Sequence, residues 1–330
     1  MPNQFFKDKN VSITRATGFV GQYLTEALLN AGADIEILTR KPLSSLPVNW
    51  QTKIRVISGG LLKLSDFSKN ADYVFHLAVE QYDKKIMRKT NVLGTKILLE
   101  HLGRNMKIKK FIFLSSVGVF GQNFIKKIIG EEDECRPQNL YEKTKFEAET
   151  YVKAKIQNGF PAIIIRPSII YGPRAKSNNN FYRVVRAINR GYFYFIGHQE
   201  SFYNIIYIED VIKAILDIAQ IENTENTKIF TVNESIEWRE LISLIQKHLS
   251  SNKKIYTLPK ILGFILSLIG SLFRLLMLPA PLTHTAYKIL TCQSVYQTKN
   301  LDEISKESDK IGHRRGIDKT INYMKSAHIL

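Results

Sequence analysis

Short apolar runs alternate with segments of helical periodicity through the first half of the chain. Runs typical of buried strands occur at residues 11–14, 53–58, 72–77, 109–115 and 162–166. Helical periodicity is clearest at residues 91–104 and 141–157. Strands that alternate with helices in this way favour a parallel sheet with helices on both faces. The pattern therefore predicts an α/β fold built on a doubly wound parallel sheet.

The pattern loosens near residue 181 into helices separated by short strands. We predict a first domain at residues 1–180, to which a strand and a helix return from about residues 203–235. Residues 181–330 are predicted to form a smaller C-terminal substrate lobe with an apolar tail. Ligands of open parallel sheets bind beyond the carboxyl ends of the strands, and the motifs described below fall there.

The first strand leads into a turn typical of phosphate binding. Gly18 and Gly21 stand three residues apart at the start of a helix with an apolar face. A phosphate group suits such a helix N-terminus, where unpaired backbone N–H groups meet the positive end of the helix dipole. The glycine that usually follows the strand directly is replaced by Arg15. The turn alone is therefore a weak indication of a dinucleotide site.

Composition and charge narrow the class of protein. The 330 residues carry 44% hydrophobic residues, enough for a full α/β core, and a formal net charge of +17. Because the basic residues are scattered without a stacking-aromatic motif, we expect a solvated basic surface and no nucleic-acid partner. Two cysteines are too few for a disulfide framework, and the N-terminus lacks the apolar core of a signal peptide. We expect a cytoplasmic protein without a metal site.

Seven further segments follow the glycine turn in a characteristic order. They are VFHLAVE (74–80), TNVLGT (90–95), LSSVGVFG (114–121), YEKTK (141–145), IIRPSIIYGPR (164–174), YIEDVIKAIL (207–216) and IFTVNES (229–235). In this order and at these intervals they resemble the extended short-chain dehydrogenase/reductase family, which contains nucleotide-sugar epimerases, dehydratases and reductases. The resemblance covers about residues 10–250. It implies a Rossmann-type fold and an NAD(P)-dependent enzyme.

The glycine turn and the resembling segments together predict a cofactor site. Its members are Thr14, Arg15, Thr17, Gly18, Phe19, Val20, Gly21, Arg40, Leu77, Ala78, Asn91, Ser115, Tyr141, Lys145, Pro167 and Ser168. His76, inside one of these segments, is interpreted as a packed strand residue.

Two side chains of the YEKTK segment suit proton transfer. Tyr141 and Lys145 are i, i+4 neighbours on one helix face, so the ammonium is expected to lower the phenol pKa from ~10 toward neutrality. Tyr141 can then act as general base for an alcohol or general acid for a ketone. Ser116, for which Ser115 is the competing assignment, is expected to hydrogen-bond the same substrate oxygen. Ser116, Tyr141 and Lys145 are the predicted catalytic residues, and the resemblance also places Lys145 at the ribose hydroxyls.

The same tyrosine and lysine spacing occurs twice more, at Tyr151/Lys155 and Tyr256/Lys260. Pro259 argues against a helix across the second of these pairs. Tyr151 lies about 15 Å farther along the helix of Tyr141 and on a different face. Only Tyr141 stands at a helix start and 25 residues after Ser116, the family-like interval.

The end of the second strand indicates which nicotinamide cofactor binds. NAD enzymes place an acidic residue there for the ribose 2′-hydroxyl, whereas an arginine suits a 2′-phosphate. Here the sequence reads Thr39, Arg40 and Lys41, which favours NADP(H), with NAD as the alternative. An exposed basic turn is the other explanation of Arg40. Gly60 stands where the family often has an aspartate near the adenine.

The resemblance implies a small-molecule substrate of the nucleotide-sugar class. Members that act on nucleotide-sugars commonly carry an arginine just ahead of the YIEDV segment, where residues 201–204 of this chain have none. Arg174, Lys176 and Arg183 are candidate replacements, and a solvated basic face explains them equally well.

An apolar tail occupies residues 261–278. Its small residues and one arginine share a narrow face: Gly263, Ser267, Gly270, Ser271 and Arg274. Only 13 uncharged residues separate Lys260 from Arg274, fewer than the ~20 needed to span a bilayer. We interpret the tail as a buried helix over the substrate cleft. The alternative is a helix on the membrane surface, which would make the protein membrane-associated.

The features together predict an NAD(P)(H)-dependent oxidoreductase or epimerase that acts on a nucleotide-sugar, with Tyr141 as proton carrier. A first alternative, favoured by Phe202, Tyr203 and the apolar tail, is an NADPH-dependent ketone or 3β-hydroxysteroid-type reductase for an apolar substrate. A second is a catalytically impaired, cofactor-binding structural subunit, motivated by Arg15 and Gly60. A homodimer is expected.

Overall fold

The structure is a computed structural model that describes residues 4–64, 66–103, 107–121, 128–197, 200–221, 229–275, 282–305 and 310–330. The strands formed by these residues are β1 (Asn10–Thr14), β2 (Asp34–Thr39), β3 (Ile54–Ser58), β4 (Tyr73–His76), β5 (Lys110–Leu114), β6 (Ile128–Ile129), β7 (Ala162–Pro167), β8 (Ile169–Tyr171), β9 (Tyr194–Ile196), β10 (Phe202–Tyr207), β11 (Ile229–Val232), β12 (Glu234–Glu237), β13 (Tyr256–Leu258) and β14 (Val295–Tyr296).

The α-helices of the described residues are α1 (Phe19–Asn30), α2 (Val48–Gln51), α3 (Lys84–Arg88), α4 (Gly94–Leu102), α5 (Leu140–Gln157), α6 (Asn180–Arg190), α7 (Ile208–Gln220), α8 (Trp238–Leu249), α9 (Lys260–Leu275), α10 (His284–Leu290), α11 (Lys299–Asp302) and α12 (Gly312–Ser326). A π-helical turn at Lys89–Leu93 precedes α4, and a 3₁₀ turn at Val117–Phe120 follows β5. The helix predicted at residues 91–104 therefore starts in the π turn, and residue 104 lies outside the described residues.

Seven parallel strands form the main sheet in the order β3-β2-β1-β4-β5-β7-β11. The predicted doubly wound parallel sheet is confirmed, and each apolar run named above lies within one residue of its strand. The strand order reverses between β1 and β4, where Thr14 pairs with His76. An open α/β sheet binds its ligands at such a switch point, so the site is expected beyond these two strand ends.

Helices cover both faces of the main sheet because its central strands are apolar on both sides. All residues of β4 and β7 are buried. Leu28 of α1 and Ile215 of α7 pack on one face. Leu98 of α4 and Val152 of α5 pack on the other.

A C-terminal group of smaller elements packs beside this sheet. The strands β8, β10 and β12 form a second sheet, β9 pairs with β13, and β14 pairs with β6. The returning strand β11 joins the main sheet beside β7. The domain boundary at residue 180 stays a prediction.

The interpretation of the apolar tail as a buried helix is wrong for α9. Ser267 is fully buried, and a Cβ atom on Gly263 would lie 2.8 Å from the Ile196 side chain. Large apolar residues are exposed instead, and Ile261 is 77% accessible. The small residues let the helix backbone approach β9 closely, which leaves the bulky side chains outside. Residues 276–278 of the tail lie outside the described residues.

Within the described part of the chain, α9 included, no helix has the length and apolar character that a membrane crossing requires.

Candidate functional site

A buried hydrogen-bond chain ties the ends of β1 and β4 together. The Thr14 hydroxyl accepts from the Leu77 and Ala78 N–H groups, at 3.1 Å each, and lies 2.9 Å from His76 Nδ1. His76 Nε2 lies 2.9 Å from Thr95 Oγ1, which donates to the Asn91 carbonyl. Since the Thr95 proton is donated to the Asn91 carbonyl, His76 Nε2 donates to Thr95, and Nδ1 of the neutral ring accepts the Thr14 hydroxyl proton. The chain fixes the loop after β4 against the π turn.

The His76 imidazole serves this framework rather than proton transfer. Burial and the neighbouring Lys145 lower the pKa of His76 to about 3, so the ring stays neutral at physiological pH. The ring also packs between Phe111 and Phe113 of β5. The structure places His76 as a packed strand residue, as predicted.

Asn91 holds the loop that carries Glu80. Its Oδ1 accepts from the Glu80 N–H at 2.7 Å, and its Nδ2 donates to the Glu80 carbonyl and to Thr144 Oγ1. Asn91 and Thr14 were predicted as cofactor-binding residues. Their side-chain groups bind these protein partners, and contact of either residue with a cofactor stays a prediction.

Arg15 occupies the turn that a glycine usually forms. Its φ of +59° lies in the left-handed region, which confirms that the turn keeps a glycine-like backbone at this position. A Cβ atom on Gly21 would lie only 2.3 Å from the Arg15 carbonyl oxygen, so the α1 helix approaches the turn as closely as the motif demands. No side chain caps α1 at Gly18.

The Arg15 side chain folds back over the start of α1. Its Cγ and Nε lie 3.1 and 3.2 Å from where a Gly18 Cβ atom would stand. Burial lowers the pKa of Arg15, the nearby Arg40 guanidinium lowers it further, and Glu80 opposes both. The positive charges of Arg15 and Arg40 therefore lie near enough to influence each other beyond the ends of β1 and β2.

A capping box starts the helix that carries the predicted proton carrier. The Asn139 side chain accepts from the Glu142 N–H, and the Glu142 carboxylate accepts from the Asn139 N–H. Tyr141 consequently lies in the first turn of α5. Its phenol lies near enough to the side chains of Ser116 and Gln81 for both to lower its pKa.

Ser116 lies at the start of the 3₁₀ turn after β5. Its Oγ accepts from the Gly118 N–H at 3.0 Å, which fixes the rotamer and leaves the hydroxyl proton available. The structure thus brings Ser116, rather than Ser115, to Tyr141. Gln81 is a neighbour that the sequence reasoning missed, since no motif marks it.

Lys145 lies one helical turn beyond Tyr141 and is almost fully buried. Its Nζ donates to the Leu114 carbonyl at 2.5 Å and lies 4.2 Å from the Phe113 ring centre. Burial lowers the pKa of Lys145 to about 7, with Glu149 opposing and Arg15 adding to the shift. The amino group can therefore gain or lose a proton near neutral pH.

The expected lowering of the phenol pKa toward neutrality is wrong for this structure. Burial raises the pKa of Tyr141, and the nearby side chains of Gln81 and Ser116 offset this only in part. The Lys145 amino group is held at the Leu114 carbonyl instead. Tyr141 therefore keeps its proton at neutral pH, as a general acid must.

Comparison with known proteins identifies the family. The family model described as "NAD dependent epimerase/dehydratase family" matches residues 11–232, about two thirds of the chain. The chain belongs to this family. It is an enzyme of the extended short-chain dehydrogenase/reductase class.

Individual members differ in what their names state. A Dictyostelium discoideum relative named sterol-4-alpha-carboxylate 3-dehydrogenase, decarboxylating, is 26% identical over 96% of this chain and 98% of its own length. A Vibrio cholerae UDP-glucose 4-epimerase is 30% identical over 56% of this chain and 58% of its own length. The crystal structure of UDP-glucuronic acid 4-epimerase from Bacillus cereus in complex with NAD has a TM-score of 0.73 at 19% identity, with 96% of each chain covered. That structural likeness shows the shared fold.

The residues of this epimerase/dehydratase chain fit a dinucleotide. Ser115 and Ser168 follow the adjacent strands β5 and β7, and both are buried with hydroxyls that lack a hydrogen-bond partner among the described residues. Buried hydroxyls are rarely left unpaired, so these two suit polar groups of a ligand at the strand ends. The open α1 N-terminus suits a pyrophosphate.

The remaining predicted cofactor residues surround this space. Half-buried positions at the start of α1 are Thr17, Phe19 and Val20. Leu77 is buried after β4, Ala78 beside it is half-buried, and Pro167 ends β7. Arg40 is exposed at the end of β2, and its Cδ lies 3.9 Å from where a Gly60 Cβ atom would stand.

Two substrate-side expectations need correction. Arg174 was a candidate phosphate anchor, but it forms a bidentate ion pair with Glu26 of α1, at 2.7 and 2.9 Å. Tyr203 was taken to favour an apolar substrate, but it stacks on Trp238 at 4.4 Å inside the core. Neither side chain is free for a ligand. Lys176 lies 4.9 Å from the Tyr82 ring centre at the cleft rim.

Proposed function

We propose that the chain is an NAD(P)(H)-dependent oxidoreductase or epimerase in which Tyr141 carries the proton. The observation that carries this proposal is the placement of Tyr141, in the first turn of α5, near Ser116, which directly precedes the 3₁₀ turn after β5. Membership of the epimerase/dehydratase family supports it.

The side chains divide the work as follows. Tyr141 passes its phenolic proton to a substrate ketone, or takes a proton from an alcohol in the reverse direction. Ser116 donates its free hydroxyl proton to the same substrate oxygen. Lys145, whose amino group donates to the Leu114 carbonyl, is proposed to reach the ribose hydroxyls of the bound cofactor. A bound nicotinamide supplies or accepts the hydride.

NADP(H) is the proposed cofactor. The Arg40 guanidinium supplies a positive charge at the end of β2, and no acidic residue ends β2 where NAD enzymes carry one. A 2′-phosphate pairs with such guanidinium groups through charge-assisted hydrogen bonds.

The proposed substrate is a nucleotide-sugar, by analogy with the Vibrio cholerae UDP-glucose 4-epimerase. A second candidate is an apolar ketone or 3β-hydroxysteroid-type substrate. Two observations favour this candidate: the relative that matches over nearly the whole chain is named as a sterol dehydrogenase, and α9 exposes its apolar side chains.

We also propose a homodimer and a cytoplasmic location. The candidate subunit contact is a groove between the π turn and α5, where Val92, Leu93 and Tyr151 lie among the charged residues Arg88, Lys89, Lys96 and Glu147. Sedimentation velocity tests the dimer, and Leu93→Glu is expected to produce monomers. The chain has two cysteines, too few for a disulfide framework, and this supports the cytoplasmic location.

A screen of NADPH oxidation tests the function. The purified chain is mixed with NADPH and either 4-keto sugar nucleotides or apolar ketones, and absorbance of the reduced nicotinamide is followed. Turnover with one class decides between the two substrates. Cofactor binding without turnover on either panel would favour the catalytically impaired subunit.

A further inference from the structure

The outer surface of α9 is unusual for a helix at the edge of a globular fold. Eight large apolar side chains between residues 261 and 273 are 40% to 77% exposed: Ile261, Leu262, Phe264, Ile265, Leu268, Ile269, Leu272 and Phe273. Contiguous apolar surface of this kind marks a place where something else binds.

The buried side of α9 explains why this orientation is stable. A Cβ atom on Gly270 would overlap the residue 282 carbonyl, and Ser271 Oγ accepts from the His284 N–H at 2.9 Å. Phe264 also packs edge-on against the His284 and Tyr287 rings of α10. The fold therefore holds the small residues inwards and the apolar side chains outwards.

Exposed tyrosines border the start of this helix. Tyr256 of β13 pairs with Tyr194 of β9, and both are exposed together with the neighbouring Tyr192. Only Pro259 separates β13 from α9. Tyrosine combines an apolar ring with a polar hydroxyl, which suits the boundary between lipid chains and water.

The chain segment that contains the helix carries charge of only one sign. Residues 241–301 contain seven lysines and arginines and no aspartate or glutamate. Lys254 and Lys260 are exposed next to the tyrosines. This distribution opposes the approach of a second copy of the same surface and attracts an anionic one.

We propose that α9, with the tyrosines of β9 and β13 and the surrounding lysines, docks the enzyme on an anionic lipid bilayer. The helix lies in the plane of the interface, because its 16 residues span only about 24 Å against a hydrocarbon core of about 30 Å. The apolar side chains enter the acyl boundary, and the lysines remain among the headgroups.

The docking surface is linked to the proposed site through the C-terminal elements. α9 packs on α10, the Cys292 carbonyl that follows α10 accepts from the Phe202 N–H at 2.7 Å, and Tyr296 stacks on Phe120. Phe120 ends the 3₁₀ turn that begins after Ser116. The inference rests on the proposed function insofar as docking would bring this site to a membrane-borne substrate.

Vesicle flotation with the full-length protein tests the docking. We expect it to float with vesicles that contain phosphatidylglycerol at low salt, and to float much less with pure phosphatidylcholine. At ~1 M salt, where the Debye length falls to ~3 Å, binding should decrease. Lys254→Gln combined with Lys260→Gln should weaken binding to the anionic vesicles.

Matched triple variants separate docking from general stickiness. Ile261→Gln, Leu268→Gln and Leu272→Gln together should reduce vesicle partition by about 10²-fold or more. The control exchanges three equally exposed apolar residues near β2 and β3, namely Leu43→Gln, Val48→Gln and Leu62→Gln, and should bind as the parent does. Circular dichroism verifies that both variants fold.

Three outcomes would overturn the inference. They are a parent protein that stays in solution at low salt, equal loss in the two triple variants, and a solution dimer that the α9 variant alone dissociates. The last would identify a second copy as the occupant of the surface. NADPH affinity measured on the same samples reports on the proposed function separately, since flotation requires no turnover.

Discussion

Replacement of Arg15 by glycine should both stabilise the fold and tighten cofactor binding. A side chain at φ +59° costs about 1–2 kcal/mol, whereas glycine adopts this backbone freely. Glycine also makes the unfolded chain more flexible, at a cost of about 0.5–1 kcal/mol. The guanidinium loses its attraction to Glu80, which is larger than its repulsion from Arg40, but its still larger burial cost is lost as well. The expected net gain in unfolding free energy is about 0.5–1 kcal/mol.

Cofactor affinity should change in the same direction. The Arg15 side chain lies over Gly18, so a pyrophosphate that reaches the α1 N-terminus must displace it. If displacement of the Arg15 side chain costs about 1 kcal/mol, its removal makes NADPH binding roughly fivefold tighter. Titration calorimetry gives the affinity, and chemical denaturation gives the stability.

Arg15→Ala is the matched control because it removes the guanidinium and keeps a Cβ atom at the same φ. It should tighten NADPH binding without the gain in stability. If Arg15→Gly binds NADPH more weakly than the parent, the strain argument fails, and Arg15 is a phosphate ligand in a variant turn.

Two further predictions concern charge. Arg40→Asp should weaken NADPH binding by about tenfold or more and make NADH the preferred cofactor, because an ion pair becomes a repulsion; unchanged affinities by calorimetry would exclude Arg40 as a ligand. His76 has a pKa of about 3 in the fold, below its usual 6.5, so the unfolded chain binds the proton more readily and stability falls as pH drops through 6.5. The loss between pH 7 and pH 5 should be about 2 kcal/mol in urea titrations, and His76→Gln should remove that part of the slope; an unaltered slope would contradict the assignment.

Local signals explain how much of the fold and site was predictable. The buried strands are apolar on both faces, so continuous runs marked them within a residue. Asn139 and Glu142 form a capping box at the start of α5 that can be recognised in the sequence. The order of the motifs predicted that Ser116 lies near Tyr141. These features depend on neighbours in sequence or on the order of the strands.

Other features depend on tertiary burial and were not readable. Lys145 and Tyr141 share a helix face, but the amino group is held by the Leu114 carbonyl of a different element. The apolar tail has bulky residues on most sides, so periodicity could not decide which face packs inwards. The face that packs inwards is the one where Gly263 and Gly270 let the helix backbone approach Ile196 and residue 282 closely. Thr14 and Asn91 lie at motif positions, but their side chains form hydrogen bonds with other groups of the protein.

The central claim is that Tyr141 moves the proton. The most direct measurement is kcat for Tyr141→Phe on the substrate that the NADPH screen yields, with NADPH affinity measured in parallel. Tyr151→Phe, farther along the same helix, is the control. We predict that Tyr141→Phe lowers kcat by ~10² or more with cofactor affinity retained, while Tyr151→Phe turns over normally. Full activity in Tyr141→Phe would contradict the account.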